Sequence, residues 1–191
     1  MRRLIKNVKF RRIKQEIRII GIDDCPFTPR GHGLVAIIGI VLRGGGCIEG
    51  AMGTKVKIDG FDATKKIAEM INSSPHYKQL RVIMLDGITF AGFNIVNITK
   101  LFVLTGVPVL AVTKEKPNMK NIRNALMKLE KCEKRLKMVE SAGEILNIKI
   151  RETELHFQVA GVSKEDSKKI IRISCTQGNF PEPLRLSLIH I

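Results

Sequence analysis

Ile17-Arg18-Ile19-Ile20-Gly21-Ile22 is a β-branched run that leads straight into Asp23-Asp24-Cys25-Pro26. The run reads as a strand, and Pro26 stops it because proline offers the ladder no N–H. Two acids therefore sit at a strand end. Beyond a loop containing Arg30-Gly31-His32-Gly33, Leu34 to Leu42 is an unbroken apolar run of strand length. Arg43-Gly44-Gly45-Gly46 then turns the chain into a second run, Cys47 to Ile58, and the pair reads as a hairpin. The glycines lack the strand-to-helix setting and the Lys-Ser/Thr of a phosphate loop.

Downstream, the period changes. Asp59-Gly60-Phe61-Asp62 opens a helix with apolar residues at Ala63, Ile67, Met70 and Ile71, ending near Asn72-Ser73-Ser74-Pro75. Leu80 to Leu85 is a buried strand ending in Asp86-Gly87. Phe90 to Leu104 reads as a helix closed by Gly106, and Val107 to Val112 as a buried strand running into Thr113-Lys114. From Pro117, a long helical segment carries Met119, Ile122, Leu126, Leu129, Leu136 and Val139 on one stripe up to Gly143. Thr153 to Val159 reads as a further strand, and Ser163-Lys164-Glu165-Asp166 as a capped helix start.

Short links make the first three strands antiparallel, whereas strands joined by helices run parallel through right-handed crossovers. This order predicts an α/β, ribonuclease H-like mixed sheet flanked by helices. In that layout the first strand lies beside the fourth, so Asp23 or Asp24 would meet Asp86 at one sheet edge. Residues 1–191 read as one domain with a basic segment at residues 1–16, and no linker or repeat divides them.

The chain has 33 Lys and Arg against 18 Asp and Glu, a formal charge of +15. Such an excess favours a polyanionic partner, because each neutralised phosphate releases counterions. Arg2, Arg3, Lys6, Lys9, Arg11, Arg12, Lys14 and Arg18 form one cluster and Lys114 to Lys137 a second. Arg2, Arg3, Arg11, Arg12 and Lys114 are the candidate nucleic-acid contacts. No run approaches the ~20 apolar residues that span a bilayer, and Met1-Arg2-Arg3-Leu4-Ile5-Lys6 is too cationic for a signal core, so a cytoplasmic, membrane-free protein is expected. Cys25, Cys47, Cys132 and Cys175 show no CxxC spacing and read as buried thiols.

Carboxylates converging in a basic protein resist joint ionisation unless a divalent cation neutralises them. Magnesium, or manganese in its place, suits hard oxygen ligands and would leave water free to attack phosphorus. The candidates by position are Asp23, Asp24, Asp59, Asp62 and Asp86, with Glu49 a weaker one. Each also has a structural reading: Asp59 or Asp62 as a helix cap, Asp86-Gly87 as a turn.

Four blocks carry a resemblance: Gly21-Ile22-Asp23-Asp24, Ile58-Asp59-Gly60-Phe61-Asp62-Ala63-Thr64, Met84-Leu85-Asp86-Gly87-Ile88-Thr89-Phe90-Ala91-Gly92-Phe93-Asn94, and Pro181-Glu182-Pro183-Leu184-Arg185-Leu186. They resemble a mainly archaeal family of uncharacterised proteins related to endonuclease V and sometimes named endonuclease dU. Gly21-Ile22-Asp23, Asp86-Gly87, Val107-Pro108 through Lys114, and Pro181 to Leu186 are each similar to an endonuclease V block. The resemblance implies Mg²⁺-dependent cleavage of a phosphodiester near a deaminated base. It implies Asp23, Asp62 and Asp86 as metal ligands, with Asp24 and Asp59 as weaker choices, and Lys114 near the phosphate. Where endonuclease V carries Gly-His-Arg, this chain has Ala160-Gly161-Val162, so His156 could act only if its strand brought it to the site. The Pro-Tyr-led loop with which endonuclease V probes a lesion is not recognisable here.

A metal-dependent endonuclease acting on DNA or RNA near a deaminated or damaged base is the leading expectation. A non-catalytic nucleic-acid-binding protein on the same fold is the alternative. A small-molecule phosphohydrolase is disfavoured, since neither a phosphate loop nor a nucleophile elbow occurs.

Overall fold

The computed structural model describes residues 6–28 and 31–187. It opens with the expected three strands, β1 (Arg18–Asp24), β2 (Leu34–Arg43) and β3 (Cys47–Lys57). Gly44 and Gly45 turn the β2–β3 hairpin with φ of 64° and 69°, a region costly for residues bearing a Cβ. Helix α1 (Ala63–Asn72) buries Ala63, Ile67, Met70 and Ile71, the predicted stripe. A single 3-10 turn, Tyr77–Gln79, precedes β4 (Val82–Asp86).

The expected helix at Phe90–Leu104 is only half present. Its first part is a small hairpin, β5 (Thr89–Phe90) and β6 (Asn94–Ile95), and α2 starts only at Ile98 (Ile98–Thr105). The physical reason lies in two asparagines. Asn97 caps α2 by accepting from the Lys100 N–H at 2.8 Å, and buried Asn94 spends its side chain on Lys57, Asp62 and Ala63. Strand β7 (Val109–Thr113) follows. The long amphipathic segment after Pro117 splits into α3 (Met119–Leu126) and α4 (Cys132–Ser141), broken where Lys131 adopts φ of 55°. Ile122, Leu126, Leu129, Leu136 and Val139 still share one cluster, but Met119, placed on the same stripe by the sequence, is exposed at the start of α3.

Two strands follow, β8 (Leu146–Ile150), which the sequence reading misses, and β9 (Thr153–Ala160). Helix α5 (Lys164–Ser174) is capped by Ser163, whose hydroxyl accepts from the Asp166 N–H at 3.0 Å, and a short α6 (Glu182–Ser187) completes the described chain.

The main sheet has the order β3-β2-β1-β4-β7-β9-β8. Strands β1, β4 and β7 are parallel neighbours, with β1 beside β4 as expected. Antiparallel β9 fills the gap between β7 and β8, so the crossover through α3 and α4 still joins two strands of the same direction. One sheet face, with Ile20, Ile22, Ile83 and Leu85, packs under α1 and α2; the other, with Ile19, Met84, Leu110 and Val112, packs under α5 and α6. Each fully buried aliphatic side chain contributes about 1.5–3 kcal/mol to this packing.

Helix α6 lies on β1, β2 and β4. Its Pro183 carbonyl presses so close to Gly21 that a Cβ there would sit 2.0 Å from the oxygen. The first and last of the four sequence blocks are thus in contact, and the glycine is what permits it.

The cysteines depart from expectation. Cys47 is exposed, and Cys25, Cys132 and Cys175 are half-buried rather than interior. Cys47 opens the edge strand β3, where little packs on it. Among the described residues no helix is long and apolar enough to cross a membrane.

Candidate active site

Parallel register sets the geometry. Ile22 of β1 stands opposite Leu85 of β4, so the next residues, Asp23 and Asp86, emerge side by side at the carboxyl ends of strands about 4.8 Å apart. Strand alternation puts both on the α5–α6 face, with Gly21 and Met84. Asp24 falls on the opposite face, where its carboxylate accepts from the Ala91 N–H.

Asp23 is 6% exposed, and its Oδ1 accepts from the Asp24 N–H at 2.8 Å. Burial, then the neighbouring charge of Asp86, push its carboxyl up to about 7, against the lowering effect of that hydrogen bond. Burial likewise raises Asp86 to about 6; the Lys114 ammonium opposes the rise and Asp24 adds to it. Lys114 follows β7 at the same edge and lies 4.9 Å from the centre of the Phe180 ring. Asp23, Asp24, Asp86 and Lys114 are therefore one electrostatic unit at the ends of three adjacent strands.

Asp62 and Asp59 are held elsewhere. The Asp62 Oδ1 accepts from Asn94 Nδ2 at 2.6 Å and from the Lys57 N–H at 3.2 Å. It occupies the N-cap position of α1 without making the cap bond; Asn94 Oδ1 takes the Ala63 N–H instead, at 3.0 Å. Asp59 Oδ1 accepts from the Phe93 N–H at 2.7 Å. Behind both, the buried Arg135 guanidinium donates to the carbonyls of Asp59, Gly60, Phe93 and Glu130 and stacks 4.2 Å from the Phe61 ring centre. The charges acting on Asp23 are those of Asp86 and Asp24, and those acting on Asp86 are Lys114 and Asp24, not Asp59 or Asp62. Glu49 is remote from the edge as well, paired with Arg18 at 2.6 Å and Arg43 at 2.7 Å.

Among the described residues no group of three or more His, Cys, Asp and Glu side chains is gathered to hold a metal ion. The pair Asp23 and Asp86 nonetheless fits Mg²⁺, which takes one or two carboxylates and keeps much of its water. Two desolvated carboxylates that repel each other are stabilised as anions by a divalent charge.

The sequence reading left His156 undecided; the register places it. His156 pairs with Thr113 across β7 and β9, at the carboxylate edge but on the opposite face from Asp86. Ala160 pairs with Val109 at the other end of β7, so Ala160-Gly161-Val162 is far from the carboxylates. His156, itself buried, lines a cavity of about 560 Å³ with Gly87, Thr89, Thr113, Met119 and Val139. Gly87, with φ of 71°, directly follows Asp86 and lines this cavity. Counting residues from Lys114 back along an antiparallel strand would have found His156, had β8 and β9 been recognised as a hairpin.

The predicted nucleic-acid contacts separate. Lys114 is exposed at the carboxylate edge, whereas Arg11 and Arg12 are exposed at the opposite end, beside Arg81 and Pro108, where β4 and β7 begin. Arg2 and Arg3 lie outside the described residues.

Comparison with known proteins gives a consistent picture. Residues 15–190 match the Endonuclease dU family. A UPF0215 protein of Methanothermobacter thermautotrophicus is 47% identical over 186 residues, covering 97% of this chain and 91% of its own. One from Pyrococcus furiosus is 39% identical, covering 94% and 92%. The crystal structure of a protein of unknown function from Archaeoglobus fulgidus superposes with a TM-score of 0.80 at 38% identity, over 90% of this chain and 94% of that one. Human ENDOV gives a TM-score of 0.62 at 14% identity, over 96% and 88% of the two chains. Endonuclease V of Ciona intestinalis, solved with an inosine-containing DNA, gives 0.57 at 16%, over 90% and 82%. The ribonuclease H-like fold expected from the order of elements is thereby established.

Proposed function

The chain belongs to the Endonuclease dU family, and we propose that it is a metal-dependent endonuclease that hydrolyses a phosphodiester of DNA or RNA beside a deaminated or damaged base. The observation that carries this reading is the pairing of buried Asp23 with half-buried Asp86, the latter facing the Lys114 charge, at the carboxyl edge of three parallel strands. In the proposal the catalytic fold is one domain of a cytoplasmic protein, and Asp23 and Asp86 hold Mg²⁺ or Mn²⁺. Bound there, the ion supplies a Lewis acid and a nucleophilic water at neutral pH. Lys114, outside the pair, neutralises the phosphate that crosses the edge. Asp86, close to both, orients the approach by repelling any phosphate oxygen not compensated by that lysine or the ion.

The cavity beyond Gly87 receives the base. Its volume of about 560 Å³ is ample for a nucleobase turned out of its stack, and His156 and Thr113 offer polar atoms to the base edge. With the base on one side of Gly87 and the phosphate on the other, the scissile bond lies across the strand ends.

One observation favours the alternative of a nucleic-acid-binding protein without catalysis: Asp62, the third ligand implied by resemblance, already has its Oδ1 taken by Asn94 and Lys57. Asp62, and more weakly Asp59, enter the metal site only if their contacts exchange, whereas Asp24, whose charge already acts on Asp23 and Asp86, is the weaker candidate at the edge itself. A nicking assay decides, using Mg²⁺ or Mn²⁺ on uracil-, inosine- and abasic-containing DNA and RNA, with chelator as the control. Metal-dependent nicking supports the enzyme; salt-sensitive binding without nicking supports the alternative.

A further inference from the structure

At the end of the sheet opposite the carboxylates lies a second groove of about 560 Å³, running between the segment Val8–Arg18 and the strand starts at Leu80 and Val107. Its floor is apolar, from Phe10, Ile17, Leu80 and Pro108. Its rims carry Lys9, Arg11, Arg12 and Lys14 on one side and Lys78 and Arg81 on the other, all six exposed. The one acid in the lining, Glu16, is turned to Arg43 at 3.3 Å, and Arg18 is held by Glu49.

None of the six rim cations makes an ion pair among the described residues. Elsewhere on the surface some cations are partnered, Lys65 and Lys66 with Glu69, Lys149 with Glu152, Lys164 with Glu144 and Lys169 with Asp166, while others, such as Lys120, Arg123 and Lys128, make no ion pair among the described residues either. What sets these six apart is that they line one groove, where they repel one another, and the arrangement is relieved by a polyanion lying between them.

We infer that this groove is a second nucleic-acid site, which grips the sugar–phosphate backbone without regard to sequence and away from the chemistry. The guanidinium forks of Arg11, Arg12 and Arg81 suit phosphate oxygens, and the apolar floor gives sugars a surface to rest on. Strand β4 separates the groove from Asp86 by its five residues, roughly 17 Å at ~3.3 Å per residue, so a phosphate in the groove is not a phosphate at the carboxylates. The inference rests on the nucleic-acid reading of the protein but not on its being a nuclease.

The test measures binding of an unmodified, fluorescently labelled single strand and duplex of about 20 nucleotides, in chelator, across a salt series. Lys78→Glu/Arg81→Glu should weaken binding at least tenfold at ~0.1 M salt and flatten the slope of log K against log salt by about 1.5 to 2. Lys134→Glu/Lys137→Glu, the same charge change on α4, should cost less than about threefold. The milder Lys78→Gln/Arg81→Gln, measured beside them, should lose affinity in the same direction, and thermal melts confirm that each variant is folded. Wild-type binding by both groove variants overturns the site, as does an equal loss in the α4 control, which would make the effect one of net charge. A wild type that binds but never nicks, with groove variants that lose binding, rejects the nuclease and keeps the groove. Groove variants that keep binding while the wild type nicks do the reverse.

Discussion

The two ends of strands β1, β4 and β7 carry opposite chemistry on one scaffold. At the carboxyl end, Asp23 and Asp86 are drawn into the protein and their charged forms are disfavoured. At the amino end, Lys78, Arg81 and the cations of residues 9–14 stay in water and need no protein partner. The difference teaches where binding strength and chemistry can be separated. Exposed cations attract phosphate cheaply and anywhere, whereas buried carboxylates repel it until a divalent ion intervenes.

Asp86→Asn should break the acidic end alone. Nicking should fall by roughly three orders of magnitude or more, because one of the two carboxylates proposed to hold the metal is lost. Nucleic-acid binding in chelator should persist or tighten. Nicking that survives the substitution would remove Asp86 from the chemistry.

Gly21→Ala attacks the same end through packing. A methyl group 2.0 Å from the Pro183 oxygen must push α6 off β1, which should cost about 3 kcal/mol in denaturant unfolding. Gly143→Ala, where an added Cβ meets nothing within 4 Å but φ is 83°, should cost about 1 kcal/mol and serves as the strain-only comparison. Equal losses would mean that α6 is not tightly seated.

Lys114→Ala should lower nicking about tenfold, the scale of one lost charge-assisted contact of ~1.4 kcal/mol, and leave the fold intact. If rates are unchanged, Phe180 holds that lysine for packing only.

The dependence of stability on pH is the sharpest discriminator. Asp23 and Asp86 have folded values of about 7 and about 6 against an ordinary 3.8, so between pH 4 and 7 the folded chain holds protons that the unfolded chain has released. Their contribution to stability is therefore greatest below pH 4 and is lost as pH rises to 7. Metal-free melts should show this decline, Asp23→Asn should flatten it, and Lys78→Glu/Arg81→Glu should leave it unchanged.

The sequence made this acidic end legible because order alone fixes it: a hairpin, then alternating helices and strands, leaves Asp23 and Asp86 no other neighbours. Gly106 and Ser163 marked their helix ends for local reasons, and both did so in the structure. What stayed hidden is long-range. Nothing near Asn94 shows that its amide would replace Asp62 as the cap of α1, and nothing near Arg135 shows that it would turn inward onto four carbonyls. The strand Leu146–Ile150 alternates apolar and polar too briefly to be told from a loop, and without it His156 had no address. The segregation of the basic segment to the amino end follows from where the chain enters β1, a fact visible in sequence only once β1 is known to be parallel to β4.

The seating of Pro183 on Gly21 also sets a schedule for the newborn chain. Roughly 160 residues separate the two, and a ribosome adding 5–20 residues per second needs about 10–30 s to make them. Throughout that interval β1 can pair with β2, and later with β4, but the face bearing Gly21 and Asp23 has no cover. The nascent polypeptide thus carries an open apolar seam on its central strand and a carboxylate still in water. Its acidic centre reaches its folded surroundings only when residues 182–187 emerge and pack over β1.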